Sequence, residues 1–246
     1  MVDWKKVTEE MERLLRLRNY PVAYKRLEKK EELVNIPRVR HLNRFLFFCQ
    51  LPALVRTRGW TVGVTSEDNV WSRCSGIHGL GEATPQSMEE ESIALSSTWL
   101  ANREEAMKQQ ASFPRVPKGE ALVLAPLALG RFEPDVVLIY ENPARIMMIM
   151  CGIQKIEFER FQFFFTGEGA CADSLAQCFA TGKPALGVPC FGERRFGEVR
   201  DEELVLALPP QTVEKAVEGL SKLSASGLRF PIPFHGAERD PPVAMK

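Results

Sequence analysis

The chain alternates between two hydrophobic periods. Residues 3–17, DWKKVTEEMERLLRL, place Val7, Met11, Leu14 and Leu15 on one helical face. PVAYKRL then reads as a short strand opening at Pro21. NRFLFFCQLPALVRTRG predicts a helix broken or begun near Pro52 and stopped by Gly59, followed by the β-branched strand WTVGV. Residues 87–110, SMEEESIALSSTWLANREEAMKQQ, predict one helix with an acidic first turn. Residues 121–129 and 134–140 are apolar strands, and NPARIMMIMCGIQKI is a buried helix entered through Pro143. FERFQFFFTG alternates as a strand whose phenylalanines line a core.

In the last third, a helix from Cys171 to Thr181 with Gly182 as its stop leads to the strand ALGVP, then DEELVLALP and the helix PQTVEKAVEGLSKL. Alternation of strands and helices predicts an α/β (or α+β) fold, a single domain with a mixed sheet and flanking helices over residues 1–230. The proline-rich residues 231–246 read as an extended tail.

Charge changes this picture by exclusion. Lys plus Arg and Asp plus Glu both number 32, so no net field draws nucleic acid or an acidic membrane. The longest apolar runs fall well short of the roughly 20 residues a spanning helix needs, and the charged start is unlike a signal peptide. The expectation is a cytoplasmic protein whose six cysteines are mostly thiols.

Three of those cysteines fall in GEGACADSLAQCFATGKPALGVPCFGERRFG, residues 167–197. An earlier stretch, CQLPALVRTRGWTVGV, followed after an insertion by CSG, has the same order: cysteine, helix, glycine, strand, Cys-x-Gly. It pairs Cys49 with Cys171 and Cys74 with Cys190, and predicts two related halves at about 20–110 and 120–225. If the halves pack about a pseudo-twofold axis, the four thiols converge as ligands for an iron–sulfur cluster or a zinc ion.

A thiol at a helix N-terminus gains thiolate character, which marks Cys171, with Cys190, as a candidate catalytic cysteine. Gly167, Gly169 and Gly192 would let backbone approach a small anionic or aromatic ligand, and Arg194 and Arg195 would grip its charge. The competing reading makes Arg194 and Arg195 a solvated turn and the cysteines packing. Cys151 and Cys178 read as core filler. His78, four residues after Cys74, has ligand spacing but reads better as a surface or second-layer histidine; His41 and His235 show no partner.

PVAYK, the Cys49 helix, the Cys74 triplet, GEGACAD and CFGERR followed by DEELVLALP together resemble the domain of unknown function 169 family of archaea and anaerobic bacteria, from about residue 7 to 225. The resemblance implies one domain along the chain and no known activity. The functional expectation is a redox or metal-binding protein, an oxidoreductase or cysteine-dependent enzyme if it is catalytic. The alternative is a non-catalytic module binding a small molecule or a partner, with homo-oligomer formation compatible with either.

Overall fold

A computed structural model describes residues 2–82 and 84–233. One seven-stranded mixed sheet runs through it in the order β2-β3-β4-β1-β5-β7-β6. Its strands are β1 (Val22–Leu27), β2 (Val39–Arg40), β3 (Thr61–Thr65), β4 (Ala121–Pro126), β5 (Val136–Glu141), β6 (Ala185–Gly187) and β7 (Leu204–Leu208). All neighbours pair antiparallel except β2 with β3. Every residue of β4 and β5 is buried, because helices cover both faces of the sheet centre.

One face is closed by three long amphipathic helices, α1 (Trp4–Leu15), α6 (Pro143–Ile156) and α9 (Pro210–Ala225), packed on Val137, Ile139, Leu206 and Leu208. Asp3 accepts from the Lys6 amide to start α1, and Asn142 does the same for α6 through the Arg145 amide, with Pro143 in the first turn. The interface of α6 and α9 is tight at two glycines: a Cβ on Gly219 would collide with the backbone carbonyl of Gly152.

The opposite face is built from short pieces. They are α2 (Gln50–Arg58), α3 (Ser72–Ile77), a π-helical turn (Ala172–Ala176) running into α7 (Gln177–Thr181), and α8 (Phe191–Phe196). Leu51, Val55, Leu175 and Ala176 from these pieces meet Tyr24, Val62, Leu124, Leu138 and Ala207 of the sheet.

Outward from the central β1/β5 pair lie β4 then β3 on one side and β7 then β6 on the other, with β2 added beyond β3 only. Gly59 and Gly182, the expected helix stops, both adopt left-handed φ, +68° and +64°. The offset that brings Gly59 onto Gly182 also brings Val62 onto Ala185, and both face the short-helix side. β4 lies between β1 and β3 in the sheet.

Two expected elements differ. The helix over 87–110 is a hairpin of α4 (Pro85–Ser96) and α5 (Arg103–Ser112). Ser96, Ser97 and Thr98 turn their hydroxyls back onto the carbonyls of Ile93 and Ala94, and Asn102 caps α5 through the Glu105 amide. The aromatic run is not a strand: residues 158–166 are irregular, with Phe158, Phe164 and Phe165 exposed and only Phe161 and Phe163 packed against the α1/α6/α9 core. Among the described residues, no strand pairs with them to take up the alternation. Of the tail expected at 231–246, residues from 234 onward, His235 included, lie outside the described residues.

Candidate functional site

Cys49 sits at the N-cap of α2, Cys74 in the middle of α3, Cys171 just ahead of the π-helical turn and Cys190 at the N-cap of α8. All four line one cavity of about 60 Å³. Larger hollows, about 550 Å³ beside Leu33 and His41 and about 380 Å³ beside Arg18 and Arg200, have no cysteine in their walls. Since α2 and α3 precede β4 while the π-turn and α8 follow β5, the cavity draws equally on both sets of strands.

Direct bonds lock the two sides together. The Cys49 thiol donates to the Gly192 carbonyl at 3.5 Å, and Arg56 of α2 donates to the Gly197 carbonyl at 2.7 Å. A Cβ on Gly197 would come within 3.1 Å of the Cys49 carbonyl oxygen, so glycine permits this approach of α8 to α2. Phe47 and Trp71 form an aromatic wall of the cavity, and Phe196 stacks on Phe47 with centroids 4.2 Å apart.

The thiols are held in their protonated form. Desolvation pushes Cys74 up to about 12 and raises Cys49, Cys171 and Cys190, and each has other pocket cysteines or Glu193 adding to the rise. The low-pKa thiolate expected at Cys171 is therefore corrected. Its helix begins with a π-helical turn under the cavity, and desolvation outweighs the few N-terminal amides.

Two charged residues that sequence reasoning passed over shape the site. Glu193 is 2% exposed; one carboxylate oxygen accepts from the Tyr140 hydroxyl at 3.1 Å and the other has no partner. Burial raises it to about 7. Tyr140 lies under the Arg56 guanidinium, 5.0 Å from ring centroid to carbon, and Arg56 in turn pairs with buried Glu203 at 3.5 Å.

Arg73, beside Cys74, is also buried. It donates to the Glu168 carbonyl at 2.8 Å, lies 3.5 Å from that residue's carboxylate, and keeps an unpartnered Nε–H. The available signal was adjacency: each charge stands within three residues of a matched Cys-x-Gly cysteine. An isolated charge in a helical turn otherwise reads as solvated.

The arginines singled out in sequence are elsewhere. Arg194 spends its guanidinium on the carbonyls of Pro189 and Arg200 and on Asp201, closing the α8 turn. Arg195 lies over the rings of Phe191 and Phe196, outside the cavity lining. Gly169 and Gly192 do line the cavity; Gly167 does not. A Cβ at Gly169 would strike the Phe113 ring at 2.6 Å, so that glycine serves packing, whereas Gly167 is required by its φ of +70° in an open turn.

His78 is not a surface residue. It is fully buried, stacked on Phe48 at 3.4 Å, with Nδ1 2.7 Å from the Cys74 carbonyl oxygen and Nε2 unpartnered. Burial lowers it to about 3. Cys178 packs in the core, and Cys151 lies on α6 with its sulfur 3.5 Å from that of Met147.

The profile of the family described as Uncharacterised ArCR, domain of unknown function 169, matches residues 10–219. The chain belongs to that family. An uncharacterised protein of Methanocaldococcus jannaschii, MJ0308, is 31% identical over 122 residues, which cover 48% of this chain and 52% of the relative. The chain thus spans about half the length of the curated relative it matches. No solved structure matches it.

In this DUF169 protein, among the described residues, no three His, Cys, Asp or Glu side chains already stand in a metal-holding cluster, and no helix is long and apolar enough to cross a membrane. The cysteine cavity is nonetheless where its chemistry-bearing groups meet.

Proposed function

We propose that this protein binds a metal through Cys49, Cys74, Cys171 and Cys190, in a centre shared by two duplicated halves of the chain. The observation that carries the reading is that four cysteines, matched in pairs by sequence, line a single cavity. Thiolate sulfur in fourfold sets suits zinc or iron, and a redox role follows if the metal is iron or an iron–sulfur cluster. A cavity of about 60 Å³ has the volume of roughly two waters in the liquid, enough for one ion among the sulfurs. The thiols do not stand ready as a ligand cluster among the described residues, so metal binding requires them to reorient.

A divalent ion and four thiols give a tetrathiolate centre of charge minus two and release four protons. Because desolvation keeps the thiols protonated, apparent affinity rises steeply between pH 6 and 8. Equal affinity at both pH values contradicts thiolate ligation.

The test is anaerobic reconstitution with zinc or with ferrous iron and sulfide, followed by elemental analysis and absorption spectroscopy. About one centre per chain is expected, lost in Cys171→Ala and Cys190→Ala and kept in Cys178→Ala and Cys151→Ala. Metal that binds equally to all four variants overturns the reading. The lack of a ready-made ligand cluster favours one other reading, in which the cavity takes a small apolar guest among packed thiols. That reading predicts no stoichiometric metal and a ligand-dependent rise in Tm.

A further inference from the structure

Arg73 is the cation among the residues that line the cysteine cavity. Its side chain is 5% exposed, which for an arginine requires compensation from its surroundings. That compensation is incomplete. The good bond is to the neutral carbonyl of Glu168, at 2.8 Å; the Glu168 carboxylate and the Gln109 amide oxygen stand at 3.5 and 3.4 Å, and Nε–H has no acceptor. The guanidinium is also held between aromatic faces, 5.2 Å from the Phe113 centroid and 5.9 Å from that of Trp71. These rings fix its position and supply only part of the missing negative charge.

Arg73 is therefore pre-positioned and desolvated, paired with the Glu168 carboxylate only at 3.5 Å and with its Nε–H unspent, on the wall the four sulfurs share. We propose that Arg73 selects an anionic occupant for this cavity, acting as counter-ion and hydrogen-bond donor to a tetrathiolate metal centre. This rests on the metal-binding reading and adds a charge rule to it. Four thiolates around a divalent ion leave two negative charges in a desolvated site, and a fixed guanidinium offsets one of them at no cost in reorganisation. The unspent Nε–H finds its acceptor in a thiolate sulfur. Glu168 has the opposite effect, since its carboxylate competes for the same guanidinium and adds negative charge to the wall.

Cobalt(II) is a suitable probe, because its sulfur-to-metal charge-transfer absorption counts thiolate ligands directly. Anaerobic Co(II) titrations compare wild type with Arg73→Gln, Arg73→Lys and Glu168→Gln. Arg73→Gln weakens binding about tenfold or more, for a loss of about 1.4 kcal/mol per tenfold. Arg73→Lys, which keeps the charge and loses the planar fork, recovers part of that affinity. Glu168→Gln tightens binding, and this sign reversal keeps the test decisive if Arg73→Gln does not fold.

Wild type that shows thiolate–cobalt absorption while Arg73→Gln and Glu168→Gln bind with its affinity overturns the role of Arg73 and leaves the metal site standing. Wild type with no thiolate–cobalt absorption overturns both.

Discussion

The two faces of the sheet solve different problems. The face under α1, α6 and α9 is continuous apolar packing: long helices, glycines at the closest crossing, and buried charge confined to its margins, as in the Arg145–Glu141 pair. The opposite face is broken into helices of five to nine residues and a π-helical turn, and it buries Arg56, Arg73, His78, Glu193 and Glu203. Several of their polar atoms lack partners. Burying such groups without full compensation costs stability, so the first face stabilises what the second spends on a site. A π-turn beside that site fits the tendency of such irregularities to occur where chemistry does.

The comparison breaks first at Gly219. Gly219→Ala pushes a methyl into the Gly152 carbonyl and forces α6 and α9 apart; the expected loss is on the order of 4 kcal/mol by denaturant unfolding. Metal content per folded chain stays at the wild-type value. A loss below about 1 kcal/mol would mean the two helices are free to shift.

Next is the pH dependence imposed by Glu193. Its carboxyl titrates near 7 when folded and near the ordinary 4.5 when unfolded, so the folded state holds a proton that the unfolded chain has already lost. This group's contribution is fully present below about pH 4.5 and falls as the pH rises toward 7. Glu193→Gln keeps an oxygen for the Tyr140 hydroxyl and removes that slope, so the variant gains on wild type between pH 5 and 8. Parallel stability profiles for the two proteins contradict the assignment.

His78 slopes the other way. Buried neutral and lowered to about 3, it costs nothing above its ordinary 6.5 and destabilises progressively as the pH falls from 6.5 toward 3, while the unfolded chain takes up its proton. His78→Gln flattens the acid limb of the stability curve; an unchanged acid limb would place the imidazole in contact with solvent.

The smallest effect is at the cysteines. Cys49→Ala or Cys190→Ala costs about 1 kcal/mol in the protein without metal, since each thiol is only partly enclosed and its removal leaves a small void. A loss of several kcal/mol would instead make them core residues.

Much of the frame was legible because it follows from period and punctuation. Val7, Met11, Leu14 and Leu15 marked α1; Pro143 and the two helix-ending glycines, Gly59 and Gly182, marked boundaries that depend on backbone geometry alone. The breaks came where side chains override period. Ser96, Ser97 and Thr98 ended a helix that its charge pattern favoured, and the phenylalanines of 158–166 alternated with no strand beside them.

At the site, the cysteines were legible through their repeated order, whereas Arg73 and Glu193 were not. A charge buried by tertiary contact carries no local mark that separates it from a solvated one. Arg194 and Arg195 failed for the converse reason: a charged turn after glycine looks alike whether it grips a ligand or its own carbonyls.

The central claim is that Cys49, Cys74, Cys171 and Cys190 act as one ligand set. X-ray absorption at the metal edge of anaerobically reconstituted protein tests it most directly. The account predicts a first coordination shell made wholly of sulfur, disrupted by alanine at any of the four; a shell of nitrogen and oxygen, unchanged in those variants, would contradict it.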